Sequence, residues 1–182
     1  MPQQYPYSFS LGPAERFTVF GPTQDEDGIR LEAENVLQPG AGVPMHVHHL
    51  QEEGFTVLTG RAGYQRAGEA PAFAEAGDSV TFAPDVLHRF WNAGDDVLHI
   101  RGYMKPPLNS EYFMVQLGES IDRNGGKAPN LLDAAYLLHL YRGEYSLGGS
   151  LLLRILVPIL SVVASVTGRR RKYADAPLPV SR

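Results

Sequence analysis

Between Phe55 and Met104 the chain is cut by turn-forming residues into runs too short for helices. The segments 55–59, 62–67, 79–83, 87–92 and 96–104 are separated by Gly60, Gly68, Gly77 and the pair Ala93-Gly94. The first of them, FTVLT, is made of β-branched, aromatic and aliphatic residues, as a strand requires. Upstream, Ile29 to Leu37 sets apolar Ile29, Leu31 and Ala33 against charged Arg30, Glu32 and Glu34, the period of a half-buried strand. Phe17 to Phe20 reads as a shorter strand, and residues 1–14 as an irregular arm. Nineteen glycines and fourteen prolines fall largely between the apolar runs, which is how a closed all-β barrel with many turns is written. No internal repeat is visible, so a single barrel is expected rather than a duplicated one.

Histidines in the stretch before residue 55 and in the 87–92 segment are placed in a way that suggests chemistry. Side chains alternate between the faces of a strand, so His46 and His48 point one way while Val47 and His49 point the other. Glu53 stands at the mouth of the 55–59 strand, a turn away from the histidine pair. Pro84 and Asp85 break the 79–83 strand, after which His88, Phe90 and Asn92 share one face. Three imidazoles and a carboxylate form the ligand set of one divalent ion, leaving it with a net charge of about +1 and two octahedral positions open. Glu52 competes with Glu53 for the carboxylate role. His49 faces away, and His99 and His139, alone on their segments, read as structural residues. With no cysteine in the chain, nitrogen and oxygen are the donors for any metal held here.

The spacing of these residues resembles the cupin superfamily. Gly40, His46, His48, Glu53 and Gly60 follow the first cupin motif along its whole length, with five, one, four and six residues between them. The six-residue step from Glu53 to Gly60 favours Glu53 over Glu52. Gly77, His88 and Asn92 are similar to the second motif in end-to-end spacing, with ten and three residues intervening. The resemblance covers roughly residues 29–104. It departs before His88, where the motif's proline and glycine positions hold Ala83 and Asp85, with Pro84 displaced by one; a differently shaped turn is expected there. The resemblance implies a double-stranded β-helix, or jelly-roll barrel. It also implies that His46, His48, Glu53 and His88 hold one metal ion per chain, whether iron, manganese, nickel, cobalt, copper or zinc.

After Lys105-Pro106-Pro107 the character of the chain changes. Residues 109–122 and 130–142 read as helices, the first capped by Asn109 or Ser110. We expect a barrel with an N-terminal arm over residues 1–105 and a helical extension over 106–182. Leu151 to Thr167 (LLLRILVPILSVVASVT) is apolar apart from a narrow stripe of Arg154, Pro158, Ser161 and Ser165, and Arg169, Arg170, Arg171 and Lys172 follow it. A helix of this kind is expected to bury a broad face. Three settings stay open: its own barrel or a homodimer partner, a membrane surface reached through residues 151–172, or a membrane span. The last is opposed by its length and by Arg154 and Pro158. The net charge of −4 offers no general attraction to nucleic acid, and the N-terminus carries no secretory pattern, so the cytoplasm is the default location.

Phe90 shares the face of His88, and Phe55 lies two residues from Glu53. Both are expected to edge an apolar pocket beside the metal that takes a small organic molecule binding through oxygen. Within the cupins, a single short barrel with all four ligands and an aromatic lining is similar to quercetinase-like dioxygenases. That likeness implies an enol or phenol as substrate, with Glu53 accepting its hydroxyl proton. Two rivals stand beside this reading: a metal-dependent isomerase or lyase, and a non-catalytic module that senses or stores a small ligand. No helix-turn-helix segment is evident.

Overall fold

The computed structural model describes residues 4–148 and 151–180. In chain order the described elements are β1 (Tyr7–Ser10), β2 (Glu15–Asp25), β3 (Gly28–Leu37), β4 (His46–His48), β5 (Glu52–Thr59), β6 (Arg61–Arg66), β7 (Ala72–Glu75), β8 (Ser79–Phe82), β9 (His88–Asn92), β10 (Leu98–Lys105), α1 (Ser110–Arg123), α2 (Leu131–Leu140), β11 (Tyr145–Leu147), α3 (Leu151–Val166) and α4 (Arg169–Lys172). The strands form two antiparallel sheets, ordered β1-β2-β3-β10-β5-β8 and β11-β4-β9-β6-β7. Consecutive strands repeatedly cross from one sheet to the other, the topology of a double-stranded β-helix.

Alternation along each strand sends one set of side chains between the sheets. Leu37, Phe55, Val57, Phe82, Phe90, Leu98 and Ile100 form the buried core there, each contributing roughly 1.5–3 kcal/mol through removal of apolar surface from water. Gly60 makes the sharp β5–β6 turn possible. Its φ is +87°, and a side chain would place a Cβ 2.8 Å from the carbonyl oxygen of Val97.

The N-terminal arm is more ordered than its sequence suggests. Tyr7–Ser10 pairs with Arg16–Val19 as the edge strand β1, and the Phe9 ring stacks on Phe17 with centroids 5.4 Å apart. At the other end, β11 adds a strand beside β4, with Tyr145 opposite His48 and Leu147 opposite His46. The helices are tied together by a second core of Leu137, Tyr141, Tyr145 and Tyr173. Asn130 caps α2 by accepting from the Leu132 N–H. The Asn109 side chain does not cap α1 and instead donates to Glu144.

The α3 helix buries little of its apolar surface within the chain. Ser161 and Ala164 are its buried residues among those described, while Leu152, Ile155, Ile159, Val162 and Val166 are each more than half exposed. It lies against α2 through this small-residue stripe, where short side chains let two helices approach closely. The broad apolar face is turned outward. No helix among the described residues is long and apolar enough to cross a membrane.

Candidate metal centre and its cavity

The strand pairing brings the four ligand candidates together from both sheets. His46 and His48 lie on β4, His46 directly opposite His88 on β9, and all three belong to the five-stranded sheet. Glu53 crosses from the other sheet, where β5 sets it opposite Phe82 and Met104. One ligand atom from each of the four residues falls within 4.8 Å of all the others. Glu53 Oε2 lies 2.7 Å from His88 Nε2 and 3.4 Å from both His46 Nε2 and His48 Nε2.

The hydrogen bonds behind the rings fix which nitrogen faces the centre. His46 Nδ1 donates to the Pro44 carbonyl at 2.9 Å and His88 Nδ1 to the Val86 carbonyl at 2.8 Å. A carbonyl only accepts, so both Nδ1 atoms carry a hydrogen, and in the neutral ring each Nε2 turns a lone pair inward. His46 Nε2 and His48 Nε2 are 3.1 Å apart beside the Glu53 carboxylate. Converging lone pairs and an anion repel unless a positive charge lies among them, so the donors present suit a divalent cation bound by nitrogen and oxygen. Burial works against the Glu53 carboxylate, but its close contacts with His46, His48 and His88 outweigh it and hold the carboxyl well below its usual range. Burial also opposes the charge on His46, yet Glu53 and the Pro44 carbonyl raise its proton affinity overall. At His48 burial prevails and lowers it.

Neighbouring side chains hold the rings in place. Phe82 stacks face to face on His88, with centroids 3.9 Å apart and planes at 11°. Tyr145 of β11 meets His48 edge-on at 5.2 Å. The Tyr145 hydroxyl accepts from Gln51 and donates to Ser110, while the buried Glu144 carboxylate accepts from the Asn109 backbone and side chain, from Gln51 and from the Val180 N–H. This network fastens the start of α1 and the C-terminal tail to the strand that carries His46 and His48. None of Phe82, Gln51, Glu144 or Tyr145 stood out in the sequence. Phe82 alternates visibly with Val80, but Tyr145 reaches the site only through strand pairing across nearly a hundred residues.

The remaining candidates lie elsewhere. Glu52 points away from the centre and accepts from the Tyr103 hydroxyl at 2.7 Å. His49 pairs with Asp85 at 2.8 Å and Ser146 at 3.0 Å, and His99 with Glu34 at 3.1 Å. His139 sits in the last turn of α2. Asn92 bridges turns, donating to the carbonyls of Leu37 and Asp96 and accepting from the Gly94 N–H. The turn before His88 keeps a glycine-like backbone, since Asp85 takes φ +66°, a left-handed conformation that aspartate tolerates better than most residues.

A cavity of about 600 Å³ opens beside the cluster, within the range of small-molecule sites. His46, His48 and Glu53 reach into it, and Phe55 and Phe90 both line it. Phe17, Leu31 and Ile100 extend the apolar wall along the six-stranded sheet, and Phe113, Met114 and Leu117 of α1 close it from the helical side. The α1 contribution was not legible beforehand, because the helix shows no contrast that says what its apolar side will cover.

Residues 34–101 match the family model for the cupin domain. Among solved structures, the capsular polysaccharide assembling protein CapF from Staphylococcus aureus is 20% identical with a TM-score of 0.51, covering 59% of this chain and 33% of CapF. A Cupin 2 conserved barrel domain protein from Salinispora arenicola is 25% identical with a TM-score of 0.44, covering 53% of this chain and 79% of its own. A conserved protein with a double-stranded β-helix domain from Klebsiella pneumoniae is 22% identical with a TM-score of 0.44, covering 50% of this chain and 76% of its own. No curated protein matches the chain. The two-sheet topology and the match over residues 34–101, which contain all four ligand candidates, identify that part of the chain as a cupin domain.

Proposed function

We propose that the protein is a metal-dependent dioxygenase acting on an enol or phenol carried by a largely apolar small molecule. The observation that carries this reading is the meeting of a compact three-histidine, one-glutamate cluster with an aromatic-edged cavity of about 600 Å³. A divalent ion held by His46, His48, His88 and Glu53 would supply Lewis acidity for an enolate and a place for it to meet dioxygen. Phe55 and Phe90 would exclude water from the apolar body of the substrate and orient its oxygenated end toward the histidines. Glu53 would accept the substrate's hydroxyl proton, a role worth about 10²–10⁴-fold in rate for a well-placed base. The Pro44 and Val86 carbonyls and the Phe82 ring would hold the imidazoles in place through this transfer. Dioxygen is the co-reactant, and both of its atoms enter the product.

The test is dioxygen uptake by the metal-loaded protein with a panel of flavonols and β-diketones. Uptake that depends on substrate and falls at least about 10²-fold in Glu53→Gln with metal content retained is the expected result. Turnover without dioxygen would replace the reading by an isomerase or lyase. Tight binding without turnover would replace it by a sensing or storage module. Unchanged turnover in metal-loaded Glu53→Gln would remove the proton-acceptor role.

A further inference from the structure

Glu15 is an anomaly in the apolar wall of the cavity. It opens β2 opposite Leu37 and is 8% exposed, although no arginine or lysine pairs with it among the described residues. Asn35, on the neighbouring strand and 3% exposed, donates from Nδ2 to Glu15 Oε1 at 2.7 Å. Asn35 Oδ1 is sealed without a partner. Glu15 Oε2 meets no donor among the described residues, yet it is not among the sealed atoms. A buried carboxyl with one oxygen tied and the other unmet is costly to keep unless something else completes it. Nothing in the fold requires it, since a leucine pair there would continue the wall made by Phe17 and Leu31.

Glu15 and Glu53 share the inner face of the same sheet, with β3 and β10 between their strands. The cavity therefore offers two separate oxygen-seeking points joined by an apolar floor. We propose that Glu15, held by Asn35, is a specificity-determining residue that hydrogen-bonds a hydroxyl group on the part of the ligand remote from the metal centre. The ligand class follows from that pairing: an aromatic or similarly apolar molecule bearing one oxygen function for the centre and a separate hydroxyl for Glu15. A hydroxyl both donates and accepts, so it can meet the carboxyl in either protonation state. Burial raises the Glu15 carboxyl's affinity for a proton despite the Asn35 hydrogen bond, and the Glu53 charge adds to the rise. The inference rests on the cavity being a ligand site, as proposed above, but not on the reaction being an oxygenation.

The experiment measures binding, by calorimetry, of 3-hydroxyflavone and of its derivatives with one further hydroxyl on the distal ring to the metal-loaded protein. All share the same head group and differ in the remote hydroxyl. At least one derivative is expected to bind tenfold or more tightly than the parent, since a site built around a hydrogen bond penalises a ligand that lacks it. The double variant Glu15→Leu, Asn35→Leu is expected to abolish that preference, retain its metal content and keep or raise its thermal midpoint, because both partners are replaced together. Glu15→Gln, which keeps a polar group in place, is expected to retain part of the preference and covers the case in which the double variant fails to fold. Equal binding of all probes to the native protein, a preference that survives in the double variant, or a large loss of stability on replacing the pair would each overturn the inference. A hydroxyl preference without dioxygen uptake would sink the oxygenase reading and leave this inference standing; uptake without a preference would do the reverse. Failure of every probe to bind would reject both.

Discussion

Metal binding at the His46, His48, Glu53 and His88 cluster should displace a proton from His46. Without metal, Glu53 is held well below the usual carboxylate range and stays anionic, and His48 is lowered by burial and stays neutral at pH 7. His46 is raised above its ordinary 6.5, so over the pH range from 6.5 to its raised value it keeps a proton that the ion must displace. Below its raised value each pH unit should therefore change the apparent affinity about tenfold, or about 1.4 kcal/mol. The sign is fixed: a raised histidine binds its proton more tightly when folded, so acid competes with the metal and affinity rises with pH until His46 is neutral. The stability of the metal-free protein should run the other way. The His46–Glu53 pairing contributes fully below the unfolded histidine value of about 6.5 and fades as pH rises through the folded one. Calorimetric titration of the metal-free protein with Co²⁺ in buffers of different ionisation enthalpy counts the released protons directly. A release of zero below the raised His46 value, or an unchanged release in His46→Ala, would refute the assignment of the proton to His46.

Three further outcomes follow from the packing. Tyr145→Phe removes the hydroxyl that joins Gln51 to Ser110 beside His48; it should cost about 1–3 kcal/mol in chemical denaturation, as a broken buried hydrogen bond does, and no loss would show the network to be slack. Asp133 accepts from Ser120, Arg169 and Lys172 while 3% exposed, and although burial works against it these partners lower its carboxyl. Its stabilisation should be complete above the unfolded aspartate value of about 3.9 and disappear as pH falls through its lowered folded value, and Asp133→Asn should flatten that part of the stability profile measured by thermal melts. The orientation of α3, with Val166 exposed and Ala164 buried, predicts that Val166→Ser changes stability by less than about 0.5 kcal/mol, whereas Ala164→Leu, which overfills the contact with α2, costs about 1–3 kcal/mol; comparable effects from the two would contradict the packing.

The barrel and its cluster were legible because both depend on local period. Glycine-bounded runs force short strands, and alternation alone puts His46 with His48 and His88 with Phe90, so three ligand candidates carry their orientation in their spacing. Glu53 was separable from Glu52 by the step to Gly60, and the structure turns Glu52 toward Tyr103. What escaped the sequence depends on distant partners. Glu15 lies in a stretch of mixed charge that looks solvated, and only the register of β2 on β3 turns it inward beside Asn35. The side that α3 turns toward α2 was not legible either, because a nearly uniform apolar surface does not say which side will be chosen. The small residues Ser161 and Ala164 are the ones buried, and short side chains allow closer approach than leucines do. A differently shaped turn was expected before His88, but Asp85 takes the left-handed backbone itself, which aspartate tolerates, and its carboxylate meets His49.

The pairing of β11 with β4 bears on when the centre comes into being. β4 is joined to β9 by the single pair of His46 with His88, but to β11 by three pairs. The short strand that presents two of the ligand candidates thus has most of its backbone support from residues 145–147. During synthesis those residues follow His48 by nearly a hundred positions, so a nascent barrel would hold His46 and His48 on a loosely tethered edge until most of the chain had left the ribosome. Affinity for an ion at this cluster would then be acquired late, and an incomplete chain would be a poor competitor for it.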